Sequence, residues 1–146
     1  MKPRKFDRNT FVVITLIATV WVQISETLRY LLLVVPIMKS NAAPIPETTT
    51  VILVIWFCWG LLLTALTVFL FWMFAQIFGH TTGTIFRSAT VSWGFFFVLY
   101  WVGTANMGLA DWSILWVVLP LSWFELFIAT YIASKLYQKP ILHQTL

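Results

Sequence analysis

The segment from Val51 to Phe78 reads VILVIWFCWGLLLTALTVFLFWMFAQIF, with no charge and only Thr64, Thr67 and Gln76 as strongly polar residues. A helix rises about 1.5 Å per residue, so about 20 apolar residues cross a hydrocarbon core about 30 Å thick. This segment exceeds that length, and it predicts a membrane-spanning helix over Thr50 to Phe78. Three further apolar stretches, Phe11 to Met38, Phe86 to Leu109 and Trp112 to Tyr137, pass the same test.

Composition agrees with the pattern. The 146 residues are 60% hydrophobic and only 10% charged, with mean hydropathy +0.89, far from a soluble domain in which about a quarter of residues are charged. With 2 His and 1 Cys, the chain has too few ligands for a two-haem cytochrome, a zinc cluster or a disulfide framework, and no cofactor is expected. The chain is expected to be an all-α integral membrane protein. Its four helices would form one transmembrane domain over residues 1–146, an up-down antiparallel bundle.

The connections carry stop and start signals. Gly79-His80-Thr81-Thr82-Gly83 offers a glycine stop followed by capping hydroxyls, and Asp111 is placed to cap the last helix after a link so short that the last two spans form a hairpin. Pro44 and Pro46 suit an extended loop over Lys39 to Thr49.

Orientation follows from the basic residues. Lys2, Arg4, Lys5, Arg8, Arg87, Lys135 and Lys139 share the side of both termini, Lys39 lies opposite, and Arg29 lies inside the first span. Basic residues near span ends stay on the cytoplasmic side, so both termini are expected there, in a cell membrane of bacterial inner-membrane type. A basic start and an apolar run also fit a signal peptide cleaved near Asn41-Ala42-Ala43, but the run is too long for an ordinary signal core. An uncleaved signal anchor is the better reading. The basic start suits topology and anionic lipid, not nucleic acid. Cys58, inside the second span, is no lipidation site and reads as a small buried thiol.

Candidate functional residues come from polar groups that a bilayer penalises. In Gln23-Ile24-Ser25-Glu26-Thr27-Leu28-Arg29-Tyr30, Glu26 and Arg29 are one turn apart and can neutralise each other. At about 100° per residue, Thr15, Thr19, Gln23, Glu26 and Tyr30 form a stripe with Arg29 adjoining, while Ile17, Val20, Ile24 and Leu28 face away. That stripe reads either as a structural ion pair, with Arg29 snorkelling to the headgroups, or as the wall of a substrate, ion or proton path.

Glu125 has no base one turn away on its own helix, and it shares a face with Ser122, Ala129 and Ala133. Three readings compete: a neutral structural donor, an ion pair with Arg29, or a proton-carrying or substrate-binding acid. Pro120, a turn upstream, removes one backbone hydrogen bond. Interior faces are expected at Trp56, Gly60, Leu63, Thr67, Phe71 and Phe74 in the second helix, and at Ser88, Ser92, Leu99, Gly103 and Asn106 in the third. Asn106 and Asp111 would then join Glu26, Arg29, Tyr30 and Trp56 in an outward-facing polar vestibule. Trp112 and Trp116 suit a headgroup belt, and Trp21, Trp59, Trp93, Trp101 and Trp123 read as bulky filler. His80, in a flexible cytoplasmic loop, and His143, in the tail, lack metal or haem spacing.

No catalytic signature is present. Four spans with an acid in the first helix are similar in architecture to the small multidrug resistance transporters. Arg29 beside Glu26 and a second acid in the last helix depart from that pattern, so no family is assigned. The leading reading is a non-enzymatic accessory or scaffold subunit that meets the bilayer and a membrane-protein partner or a second copy. The alternative is a small transporter or channel in which Glu26 or Glu125 moves protons, cations or amphiphiles.

Overall fold

The computed structural model describes residues 7–40 and 49–138. The Pro44 and Pro46 loop, the Asn41-Ala42-Ala43 segment, the basic start before Asp7, Lys139 and His143 lie outside the described residues. The described chain is helical, with no strand in it, and four helices are long and apolar enough to cross a membrane: α1 (Arg8–Lys39), α2 (Thr50–Phe78), α3 (Thr82–Asn106) and α4 (Trp112–Gln138).

Each helix begins where a short polar side chain replaces the backbone acceptors missing from a first turn. Asp7 accepts from the backbone N–H groups of Asn9 and Thr10 and pairs with the Thr10 hydroxyl, so α1 starts three residues before the expected Phe11. Thr49 caps α2 through the Ile52 N–H. Gly79, at φ 72°, ends α2 in a conformation that a side chain would strain, and its N–H donates to the Ala75 carbonyl. Thr81 then accepts from the Thr84 N–H, starting α3 ahead of the expected Phe86. Gly108, at φ 71°, follows the end of α3. The exposed Asp111 accepts from the Ser113 N–H at 2.7 Å, and the Ser113 hydroxyl and N–H together hold its carboxyl below the usual value.

The helices pack through small side chains, as expected where lipid supplies no hydrophobic drive between helices. α1 lies against α2 and α4, and α3 against α2 and α4. One core layer joins all four through Ile14, Ala18, Phe71, Ile85, Ala133 and Tyr137. A second joins Val22, Leu63, Phe97, Leu126 and Ala129. Buried hydroxyls close back on their own helices, Thr19 on the Thr15 carbonyl, Thr64 on Gly60, Thr67 on Leu63 and Ser88 on Thr84, which satisfies them without a partner helix.

Two π turns interrupt this regularity, Tyr30–Val34 in α1 and Gly94–Val98 in α3. A π turn adds a residue to one turn, which re-aims everything beyond it by about 100°. In α3 the inward face therefore runs Ser88, Ser92, Phe97, half-buried Trp101 and Ala105. Leu99 and Asn106, expected on that face from an unbroken period, are exposed. Beyond the second core layer the bundle opens: none of residues 30–39 is buried, and in residues 50–59 only Trp56 is even half-buried. Cys58 belongs to this open end and is exposed, not buried as expected. It lies two residues, about 200°, from Gly60, which faces α1.

His80 is not set apart in its loop. Its half-buried ring lies 5.7 Å from the Phe71 ring and 6.4 Å from that of Tyr137. A cleft of about 610 Å³ opens where α4 packs only slightly against the far end of α3, lined by Trp93, Leu115, Trp116, Leu119, Trp123 and other apolar groups.

Candidate functional site: a buried arginine between two carboxyl groups

Where the packed and open parts of the bundle meet, Arg29 lies between Glu26 and Glu125. Its Nη1 is 3.0 Å from Oε2 of Glu125, and its Nη2 is 3.5 Å from Oε1 of Glu26. The local sequence accounts for both contacts. Glu26 is one turn before Arg29, and the face carrying Val22, Ser25 and Arg29 is the one that α1 lays against α4.

The remaining polar groups complete this centre. Ser25 donates its hydroxyl to the same Oε2 of Glu125 at 3.0 Å. Trp56 of α2 donates its indole N–H to Oε2 of Glu26 at 3.0 Å, and Trp21 donates to the Glu125 backbone carbonyl at 3.1 Å. The Arg29 guanidinium stands 5.2 Å over the Phe97 ring, within cation–π range. Glu26, Arg29 and Glu125 thus draw donors from α1 and α2 and an aromatic face from α3.

Burial is uneven. The Glu125 side chain is fully buried, whereas those of Glu26 and Arg29 keep 6% and 11% of their surface, so the centre touches the open end through α1. Both Glu125 bonds fall on Oε2; its Oε1 is buried without a hydrogen-bond partner. Such an atom normally costs about 1–3 kcal/mol unless something satisfies it.

The expected site residues divide. Glu26, Arg29 and Glu125 are brought together, and Tyr30 sits at the edge of this group, its ring 4.9 Å from that of Trp56. Gln23 reaches α2 instead, donating to the Phe57 carbonyl at 3.0 Å over Gly60. Asn106 is exposed, and Asp111 caps α4, so neither joins a vestibule. Of the three readings for Glu125, pairing with Arg29 has the contact it requires.

Sequence reasoning missed Ser25 and the indoles of Trp21, Trp93 and Trp123, and placed Trp56 with Glu26. Ser25 was visible as one turn before Arg29, but it lies outside the Thr15 to Tyr30 stripe. Trp21, Trp93 and Trp123 are more than filler, since Trp21 donates to the Glu125 carbonyl, Trp93 to the Leu119 carbonyl and Trp123 to the Thr90 hydroxyl, each between helices. Among the described residues no group of three or more His, Cys, Asp or Glu is placed to hold a metal ion.

No protein-family model matches this chain, and no curated protein or solved structure matches it.

Proposed function

We propose that this chain is a non-enzymatic accessory or scaffold subunit of an inner membrane. Its helices run up and down, both termini are cytoplasmic, and it binds a membrane-protein partner through the open end of the bundle. The seven-to-one division of basic residues supports the orientation. Contacts that pair Gln23 with Phe57 and Glu26 with Trp56, or Thr90 with Trp123 and Trp93 with Leu119, support antiparallel neighbours, because one index falls as the other rises.

The observation that carries partner binding is the apolar overhang. α1 has 32 residues and α2 has 29, lengths of about 48 Å and 43 Å against a hydrocarbon core of about 30 Å. Their outer turns, with Leu31, Leu32, Val51, Val54 and Ile55 all more than half exposed, extend past the packed layers. Tilt absorbs part of such an excess, and a covering partner helix absorbs the rest.

Photocrosslinking in native membranes tests this. A crosslinker at Leu32 or Val54 is expected to capture one protein of defined mass, while one at Leu16, beside the packed core, captures lipid. Lipid adducts at all three positions would remove the partner-binding reading.

A second reading, a small transporter or channel, is favoured by the partnerless Oε1 of Glu125 beside two π turns, features that occur often at functional sites. Gradient-driven flux by the purified chain in vesicles is the result that would put it first.

A further inference from the structure

Three observations converge on Arg29. The first is charge: two carboxyl groups share one guanidinium. Of the elements packed around Glu125, α1 contributes Glu26 and Arg29, its Arg8 and Lys39 being exposed at the two ends, and α2 contributes no charged residue. In α3, Arg87 is exposed and stacks on Phe78; in α4, Lys135 is exposed and stacks on Tyr131. With both acids ionised the centre would hold one uncompensated negative charge in a membrane interior, which the low dielectric strongly disfavours.

The second is the buried Oε1 of Glu125, which has no partner although Oε2 accepts from both Arg29 and Ser25. The third is that both π turns meet the centre. One begins at Tyr30, the residue after Arg29, and the other holds Phe97, whose ring lies against the guanidinium.

We propose that Glu26, Arg29 and Glu125 form a site that binds and releases one proton, with Oε1 of Glu125 as the atom that takes it. A hydrated proton reaching the centre past the half-buried Arg29 leaves its water and forms an O–H bond at Oε1. Oε2 keeps its hydrogen bonds from Arg29 and Ser25, and the three side chains together become neutral. Release reverses the step, restoring the negative charge and tightening the pull on Arg29 across the α1 and α4 interface. This site is independent of the partner-binding reading, because it is built wholly from this chain.

Infrared spectroscopy of the full chain in lipid bilayers near neutral pH tests the proposal, and with only five Asp and Glu residues in the sequence the carboxylic-acid region is readable. One carboxylic-acid carbonyl band is expected. Glu125→Asp should move it and Glu26→Asp should leave it in place. Glu26→Gln should abolish it, because Arg29 then matches Glu125 alone. Arg29→Gln should raise the signal to two carboxylic acids. The Asp variants keep the charge count, which separates an effect on the site from a failure to fold. No band in the unaltered protein, or a band that moves with Glu26→Asp and not with Glu125→Asp, overturns the proposal.

Discussion

Arg29 reaches across 96 positions of sequence to place Nη1 3.0 Å from Oε2 of Glu125, closer than the 3.5 Å between its Nη2 and Oε1 of Glu26 one turn away. The longer-range contact is also the better buried of the two. Arg29 therefore fastens α1 to α4 and does more than neutralise its own helix.

Removing Arg29 leaves two acids in a site built around one cation, and breaking a buried pair from one side costs about 3–5 kcal/mol. Arg29→Ala is expected to destabilise the folded protein by that amount. In double-mutant cycles read by unfolding in detergent or bilayers, Arg29 should couple with Glu125 as well as with Glu26. Additive effects of Arg29→Ala and Glu125→Leu would show that the interhelical contact does not contribute.

Gly60 is a second point where two helices meet closely. A Cβ there would stand 2.2 Å from Nε2 of Gln23, the flexible end of a side chain that donates to the Phe57 carbonyl. Alanine gains about 1 kcal/mol of helix propensity, but displacing Gln23 loses a hydrogen bond worth about 0.5–1.5 kcal/mol. Gly60→Ala alone should be neutral or destabilising, and the same change in a Gln23→Ala background should stabilise. Thermal unfolding of the four variants reads that change of sign, and the same effect in both backgrounds would place Gln23 elsewhere.

The orientation proposed from the basic residues is checked with a membrane-impermeant thiol reagent on whole cells, after Cys58→Ala removes the native thiol. A cysteine at Ala110 is expected to react and one at Thr82 to be spared. Reaction at position 82 from outside would overturn the orientation.

Much of this was legible in the sequence because it depends on local chemistry. A charge-free run from Val51 to Phe78 has few alternatives to a spanning helix, and Gly79, Thr81 and Asp111 act on backbone groups within a few residues. Small residues around Glu125 marked a face that is indeed buried. What stayed hidden depends on distant partners or on broken periodicity. Three fates for Glu125 were chemically equivalent until α1 was placed beside it. The indoles of Trp21, Trp93 and Trp123 read as filler because most of a Trp side chain is apolar ring and only one group is an N–H donor. An unbroken period of 3.6 residues turns Asn106 inward, and that period fails at Gly94–Val98, where the helix takes one extra residue.

That extra residue leads to the last prediction. Phe95 lies in the π turn and is 64% exposed, while Ser92, Phe97 and Ala105 face inward. Deleting Phe95 lets the π turn relax to an ordinary α turn, after which Phe97 follows Ser92 by four positions and the inward face is continuous. The deletion should therefore cost only about 1 kcal/mol. Deleting Tyr100 removes a residue between Phe97 and Ala105, so no single register keeps both inside, and the cost should reach about 3 kcal/mol or more. Thermal unfolding compares the two deletions. In the Phe95-deleted protein, a cysteine replacing Ala105 should remain protected and one replacing Asn106 reactive. An unbroken α-helix would give the opposite ranking, since removing Phe95 would then turn the whole far end of α3 out of register and carry Phe97 away from Arg29.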